Sequence, residues 1–145
     1  MEKVNQNIIM KDYEEYAEYL KEKNIFTKSV SNAFLTVLVL WFLTKRDYHG
    51  YSLMKKIDEF FDVQINIGLT RKTQANKIYP LLKKLEENDL IESYDGTHKK
   101  KKVKLYKLTE DGLKLHNFNK FISNQNSKNE LWNEFYSDFN IQDNI

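Results

Sequence analysis

The chain has 145 residues, 41% of them hydrophobic and 14% aromatic, and it contains no cysteine. This composition predicts one folded globular domain, alone or with helical arms, and excludes a disordered chain, a disulfide framework and a zinc–thiolate site. The net charge is only +2, yet residues 71–107 hold eleven Lys or Arg against five Asp or Glu, which indicates a basic surface suited to a polyanion.

The distribution of apolar residues argues against a membrane protein. The first thirty residues carry charges throughout and lack the layout of a signal peptide. The longest apolar run, 33–43, has eleven residues, whereas a membrane-spanning helix needs about 20. We therefore expect a cytoplasmic protein without a membrane partner.

Two helices are predicted before residue 45. Residues 8–23 form an amphipathic helix whose apolar stripe needs a partner, because apolar residues recur there at helical spacing: Ile9, Tyr13, Tyr16 and Leu20. The next helix, 32–44, is apolar nearly all round and belongs in a core. Ser29 or Ser31 is expected to cap its amino end.

Two further helices follow a short junction at Gly50, where the backbone can turn tightly. The third helix carries an apolar stripe, and residues 62–70 are predicted to be a connecting loop. The fourth helix spans 71–88. Pro80 lies within its pattern and is expected to kink the helix or to lie close to its start, because proline has no N–H donor.

The remaining sequence predicts a β-hairpin followed by more helix. Val103 and Leu105 alternate with lysines as in a strand, and Asp95-Gly96 is typical of a hairpin turn. Thr109 is expected to cap a helix whose first turn is acidic, as the helix dipole favours. The helical pattern weakens over 123–129 and then resumes.

Helices followed by a basic hairpin and a further helix outline a winged helix-turn-helix. The same stretches resemble the PadR family of transcriptional regulators from Phe34 to Leu115. In order they are FLTVLVLWFL, HGYSLMKKI, NKIYPLLKKLEENDLI and KLYKLTEDG. The resemblance implies a dimeric DNA-binding repressor, often responsive to a small molecule. Asn76, Lys77 and Ile78 stand where the family commonly has Gly-Thr-Leu, so no base preference is carried over.

Two groups of polar residues are predicted to contact DNA; the alternative is a solvated hairpin tip and helix face. The hairpin, or wing, can reach phosphates beside the groove that the recognition helix enters. The side of helix 71–88 opposite Leu82 and Leu85 can read bases. Gln74 is nearer the core in this phasing unless a kink at Pro80 turns it outward. The full set is Arg71, Lys72, Thr73, Gln74, Asn76, Lys77, Lys83, Lys84, Lys99, Lys100, Lys101 and Lys102.

The terminal helices are predicted to form a dimer interface. A domain of about 80 residues needs no additional aromatic-rich helices to close its core, so their stripes are expected to pack against a second subunit. Trp132 has an alternative role that the resemblance implies, which is to line a pocket for a small, flat apolar effector. The residues concerned are Tyr13, Tyr16, Leu20, Leu131, Trp132, Phe135, Tyr136 and Phe139.

We therefore expect a mainly α fold with a small β-hairpin, a winged helix-turn-helix with N- and C-terminal dimerisation helices. Its divisions are a helical arm over 1–30, the DNA-binding domain over 31–112 and one or more dimerisation helices over 113–145. The expected function is a homodimeric repressor that binds double-stranded DNA. The alternative is a winged-helix interaction module that binds an acidic protein and recognises no operator.

No enzyme activity, cofactor or metal is expected. Asp58, Glu59 and Asp62 cluster, but they flank an amphipathic helix with no nucleophile or phosphate-binding loop nearby. The three histidines are isolated in the sequence, without a second ligand at metal-binding spacing. His49 is instead expected to support the turn at Gly50.

Overall fold

The computed structural model describes residues 6–24 and 30–140, with side chains from residue 11 onward in the first range. These residues form helices and one antiparallel sheet of three strands, which confirms the mainly α prediction. In chain order the elements are α1 (Gln6–Glu22), α2 (Asn32–Lys45), β1 (Tyr48–His49), α3 (Gly50–Phe60), α4 (Asp62–Asn66), α5 (Ala75–Glu87), β2 (Ile91–His98), β3 (Lys101–Leu108), α6 (Glu110–Asn126) and α7 (Glu130–Phe139).

The core is built around α2, which contacts α3, α5, α6 and β3. Val39 and Leu40 of α2 are completely buried, as are Leu53 of α3 and Ile78 and Leu82 of α5. Each such side chain stabilises the fold by about 1.5–3 kcal/mol relative to leaving it exposed. Because α5 is held by this one face, its opposite face is free to contact a partner.

The predicted caps are present where the structure describes them. The Oγ of Ser31 accepts a hydrogen bond from the N–H of Phe34 at 3.3 Å and so caps α2. Ser29, the other candidate, lies outside the described residues. The Oγ1 of Thr109 accepts from the N–H of Gly112 at 3.0 Å and caps α6, so both local cap predictions are confirmed.

The sheet has the order β1-β3-β2, and its hairpin turn differs from the prediction. The turn is Lys99-Lys100, whereas Gly96 lies within β2 opposite Val103. A turn at Asp95-Gly96 would set Ile91 opposite Lys100. The observed register instead pairs Ile91 with Leu108 and keeps the apolar ends of both strands on the core, so burial overrides the local turn signal.

Two helix boundaries also differ from the prediction. The helix expected over 71–88 begins at Ala75, and Gln74 before it has extended backbone, with φ −101° and ψ 148°. Residues 62–70 are not loop throughout, because α4 forms a short helix at their start. Pro80 lies inside α5 rather than close to its start.

The terminal helices differ in how they meet this core. α6 packs on α2, whereas every residue of α7 is exposed. The loosening predicted over 123–129 is present only at 127–129, because α6 continues to Asn126. The Asn129 side chain closes this turn by accepting hydrogen bonds from the N–H groups of Leu131 and Trp132. No helix among the described residues is both long and apolar enough to cross a membrane.

Candidate nucleic-acid interface

The solvent face of α5 carries polar residues at positions that a partner can reach. Asn76 and Lys83 lie on the same side, because at 100° per residue they fall about 20° apart, and Lys84 lies at the edge of that side. All three are exposed. Pro80 is on the same side and cannot donate to the carbonyl of Asn76, which leaves this carbonyl without its usual helical partner. This face therefore combines an amide, a carbonyl and two cations.

The segment before α5 is fixed by a carboxylate from α3. The backbone N–H of Thr73 donates to Oδ1 of Asp58 at 2.7 Å, which holds this segment extended ahead of the helix. Thr73 is half-buried, whereas Arg71, Lys72 and Gln74 are exposed. Gln74 thus points to solvent, although it lies nearer the core in an unbroken helix over 71–88.

Lys77 differs from the expectation that it faces away from the core. Its side chain is half-buried, and Nζ donates to the carbonyl of Val30 at 2.5 Å. Val30 comes just before α2, so this bond ties α5 to the start of that helix. The observed role of Lys77 is therefore packing, and its contact with DNA stays a prediction.

The turn of the wing, which we define as the hairpin of β2 and β3, has an unfavourable backbone. Lys99 and Lys100 both have positive φ, 50° and 66°, as in the type I′ turns that favour Asn-Gly. For residues other than glycine the left-handed conformation costs roughly 1–2 kcal/mol each. Both lysines are exposed, so the turn presents their ammonium groups at the tip of the wing.

The lysines of the wing fall into two groups. Nζ of Lys104 lies 3.6 Å from Oε2 of Glu86, and Nζ of Lys107 lies 3.1 Å from Oε1 of Glu92. Within the described part of the chain, eight exposed cations at the wing tip and around α5 form no ion pair. They are Arg71, Lys72, Lys83, Lys84, Lys99, Lys100, Lys101 and Lys102.

Two histidines that are distant in sequence meet beside the wing. The ring of His49, the last residue of β1 and the N-cap of α3, lies 4.4 Å from that of His98, at the end of β2. The Oγ of Ser52 lies 2.6 Å from Nδ1 of His49. Burial, then His98, then Arg46 lower the pKa of His49. The two histidines, which lack metal-binding spacing in the sequence, are therefore in ring contact in the fold, where the end of β2 meets the junction of β1 and α3.

Among the described residues, no three His, Cys, Asp or Glu side chains are grouped so that they could hold a metal ion. Gly50, next to His49, has a packing role. A Cβ atom there would lie 2.5 Å from Cε1 of Tyr79. Glycine thus lets Tyr79 of α5 rest on the first turn of α3, which sets the spacing between these two helices.

A groove of about 1040 Å³ opens between the start of α3, one side of α5 and the wing. Lys55, Lys83 and Lys101 line it from three different elements, and Nζ of Lys55 lies 4.9 Å from the ring centroid of Tyr51. The sequence does not single out Tyr51 and Lys55. They reach the wing because β1 pairs with β3, a long-range contact that no local pattern marks.

The residues predicted for dimerisation lie on α1 and α7. On α1, Ala17 is buried and Leu20 half-buried, whereas Tyr13 and Tyr16 are exposed. The tyrosines are therefore not covered by the part of the chain that the structure describes. The ring of Tyr16 stacks on that of Tyr19, with centroids 6.0 Å apart, which adds to the aromatic surface of this helix.

α7 exposes an apolar surface over its whole length. Leu131 is 73% exposed and Phe139 is 71% exposed. Trp132 contacts Tyr136, with ring centroids 4.7 Å apart, and Phe135 contacts Phe139 at 4.8 Å. The predicted α7 residues are thus neighbours on one short helix, none of them buried by the described chain.

The fold and the basic surface define a winged helix-turn-helix protein. Residues 39–116 match the transcriptional regulator PadR-like family. Since this match spans more than half of the sequence, the chain belongs to the PadR-like family of transcriptional regulators. No curated protein sequence matches the chain.

Solved structures are similar to this fold. A PadR family transcription regulator from Clostridium difficile R20291 is 24% identical, with 71% of this chain and 98% of that chain covered and a TM-score of 0.56. The protein smu.1704 from Streptococcus mutans UA159 is 24% identical over 68% of this chain and 84% of its own, with a TM-score of 0.55. Bacillus subtilis PadR in complex with operator DNA is 26% identical, with 58% of this chain and 44% of that chain covered and a TM-score of 0.47.

Proposed function

We propose that this PadR-like regulator is a homodimeric repressor that binds an operator in duplex DNA in the cytoplasm. The observation that carries the proposal is the set of eight exposed cations without ion pairs in the described chain. They surround the solvent face of α5 and continue onto the wing tip. A surface of this kind fits a rod of phosphates with a groove between its two backbones.

Affinity and base reading are assigned to different elements. The wing lysines act as point charges on phosphates and need no exact geometry, so they contribute affinity without base preference. Asn76 lies at the centre of the exposed face of α5, and an Asn side chain suits bidentate contact with adenine. Lys83 and Lys84 flank it and are assigned to guanine or phosphate.

The dimer is proposed from the exposed apolar side chains of α1 and α7. α7 exposes Leu131, Phe135 and Phe139 together. A second subunit that covers them removes this apolar surface from water, which favours association. Trp132 is assigned to this interface. A small, flat apolar effector that stacks on Trp132 remains the second role for that residue.

Selection of bound duplexes from a random pool, followed by sequencing, tests operator recognition. Enrichment of an inverted repeat, bound with an affinity that falls as salt rises, supports the proposal. Equal recovery of all sequences, or binding to acidic proteins alone, would contradict it and favour the interaction module.

Neutralising the wing tip tests the assignment of affinity. Replacing Lys99, Lys100, Lys101 and Lys102 with Gln should weaken binding to all duplexes similarly. The slope of log affinity against log salt should fall by up to about 0.9 for each phosphate that the wing no longer neutralises. Titrations at several salt concentrations measure this slope, and an unchanged slope would show that these lysines are only solvated.

A further inference from the structure

Glu86, in the last turn of α5, touches both strands of the wing. One carboxylate oxygen accepts a hydrogen bond from the Oγ of Ser93 on β2. The other lies 3.6 Å from Nζ of Lys104 on β3. Among the hydrogen bonds and ion pairs of the described side chains, these two are the ones that join α5 to the wing.

The carboxylate of Glu86 is held in its charged form. The hydrogen bond from Ser93 lowers its pKa most, and the charge of Lys104 lowers it further, while burial opposes both. The side chain remains one-third exposed, so part of this electrostatic effect is screened by water. Near neutral pH the carboxylate is therefore available to accept from Ser93 and to attract Lys104.

Neighbouring carboxylates do not share this arrangement. Glu87 is exposed, and its carboxylate makes no hydrogen bond or ion pair within the described chain. Glu92 pairs with Lys107 inside the hairpin and thus joins β2 to β3 only. Glu87 is therefore a matched control that has the same charge and lies on the same helix.

The position of Glu86 opposes simple attraction of DNA. It lines the groove together with Lys83 and Lys101, where a negative charge repels phosphate. A surface built only for affinity gains nothing from a carboxylate there. Glu87 lines the same groove, but of these two carboxylates Glu86 is the one that contacts both wing strands. The gain that we assign to Glu86 is therefore the orientation of the wing relative to α5.

We propose that Glu86 is a positioning residue that fixes the wing against α5, so that base reading and phosphate contact occur together. The expected effect of Glu86 on DNA binding rests on the proposed function. Its expected effect on the orientation of the wing in the free protein does not. With the bonds to Ser93 and Lys104 removed, the wing should sample several orientations, and its tip should meet the phosphates less often.

The orientation of the wing can be measured without DNA. Because the chain has no cysteine, nitroxide labels can be attached at Asn76→Cys on α5 and Lys100→Cys at the wing tip. Labelled chains diluted into unlabelled ones report the distance within one subunit. The parent and Glu87→Ala should give one narrow distance distribution by double electron–electron resonance. Glu86→Ala should broaden or shift it, and Glu86→Gln, which keeps an acceptor for Ser93, should have a smaller effect.

A second measurement couples the wing to DNA. Lys99→Gln together with Lys100→Gln should reduce the salt slope in the parent and in Glu87→Ala by up to about 1.8, which is about 0.9 for each of two phosphates. In the Glu86→Ala background, the same two lysine substitutions should reduce the salt slope by less than half of that amount. Glu86→Ala should also lower the ratio of the affinity for the operator to the affinity for random duplexes. Thermal melting of the Glu86→Ala variant should show that it is still folded.

The outcomes separate the two proposals. A Glu86→Ala distance distribution identical to that of the parent would overturn the positioning role, whatever the DNA result. If the lysine pair leaves the salt slope of the parent unchanged, the assignment of the wing to phosphates fails, and the distance measurement still decides the role of Glu86. If the lysine pair reduced the salt slope equally in the Glu86→Ala and Glu87→Ala backgrounds, this result would also contradict the positioning role of Glu86.

Discussion

Lys99 and Lys100 occupy turn positions at which the backbone favours Asn and Gly. Replacing the pair with Asn and Gly should relieve part of the left-handed strain, chiefly at the position that becomes Gly, and raise the free energy of unfolding by roughly 1–2 kcal/mol. The same change removes two tip charges and should weaken binding to every duplex. Urea unfolding measures the first effect, and salt titrations on DNA measure the second.

Lys99→Gln with Lys100→Gln is the control for this change, because it removes the charges but leaves the strained backbone. It should weaken DNA binding to the same degree without raising stability. Equal stability of the Asn-Gly and Gln-Gln variants would contradict the assignment of strain to this turn.

Asn76 is the residue for which a change in base reading is expected. Asn76→Ala should relax preference at one position in each half-site and should cost about 1–3 kcal/mol for the preferred base. The fold should survive, because the side chain is exposed and alanine suits a helix. Competition between operators that differ at single positions provides the measurement. An equal reduction in affinity for every sequence would mean that Asn76 positions the protein and reads no base.

Two histidines, His49 beside the wing and His116 on α6, have pKa values below their ordinary value. Burial is the largest cause for His49, which contacts His98. Burial is also the largest cause for His116, followed by Lys120 and Lys45. Both groups, His49 and His116, therefore bind protons more weakly in the folded chain than in the unfolded one. Below their ordinary value of 6.5 the unfolded chain takes up more protons, so stability should fall as pH falls.

Urea unfolding at about pH 7.5 and about pH 5.5 tests this dependence. The parent should be less stable at the lower pH. His49→Gln combined with His116→Gln should reduce the difference between the two values. A difference that the double variant leaves unchanged would assign the pH dependence to other groups.

The elements also show what a sequence can predict. Periodicity and caps are local, so α2, the buried face of α5 and the caps at Ser31 and Thr109 follow from neighbouring residues alone. The predicted wing turn is wrong because Asp95-Gly96 is the stronger local signal, while the register is set by distant pairs. The start of α5 likewise depends on Asp58, and the link at Glu86 depends on both wing strands, so neither could be predicted from nearby residues.

For the whole molecule, a two-fold dimer through α1 and α7 would hold two copies of α5 at a fixed separation. Major grooves on one face of a duplex are about 34 Å apart, so half-sites should be centred about 10 bp apart or a multiple of that. Deleting residues 129–145 should give monomers or aggregates. It should reduce affinity for the full operator far more than affinity for one half-site.

Analytical ultracentrifugation, paired with titrations on half and full sites, measures this effect. Deletion of residues 141–145 alone keeps α7 and serves as the control. A stable dimer with unchanged operator affinity after the longer deletion would show that α7 does not hold the subunits together. α1 would then remain the candidate interface.

The pairing of the short strand β1 has a consequence for the solubility of the free protein. β1 covers β3 only at Tyr106 and Leu105, so nearer the tip the outer edge of β3 has no partner strand among the described residues. Open edges of this kind are templates on which another chain can add a strand and begin to polymerise. Lys101 and Lys102 lie along this edge, where their repulsion of the same lysines in a second wing should oppose such pairing. The charges proposed to hold DNA should thus also oppose aggregation of the protein in its absence.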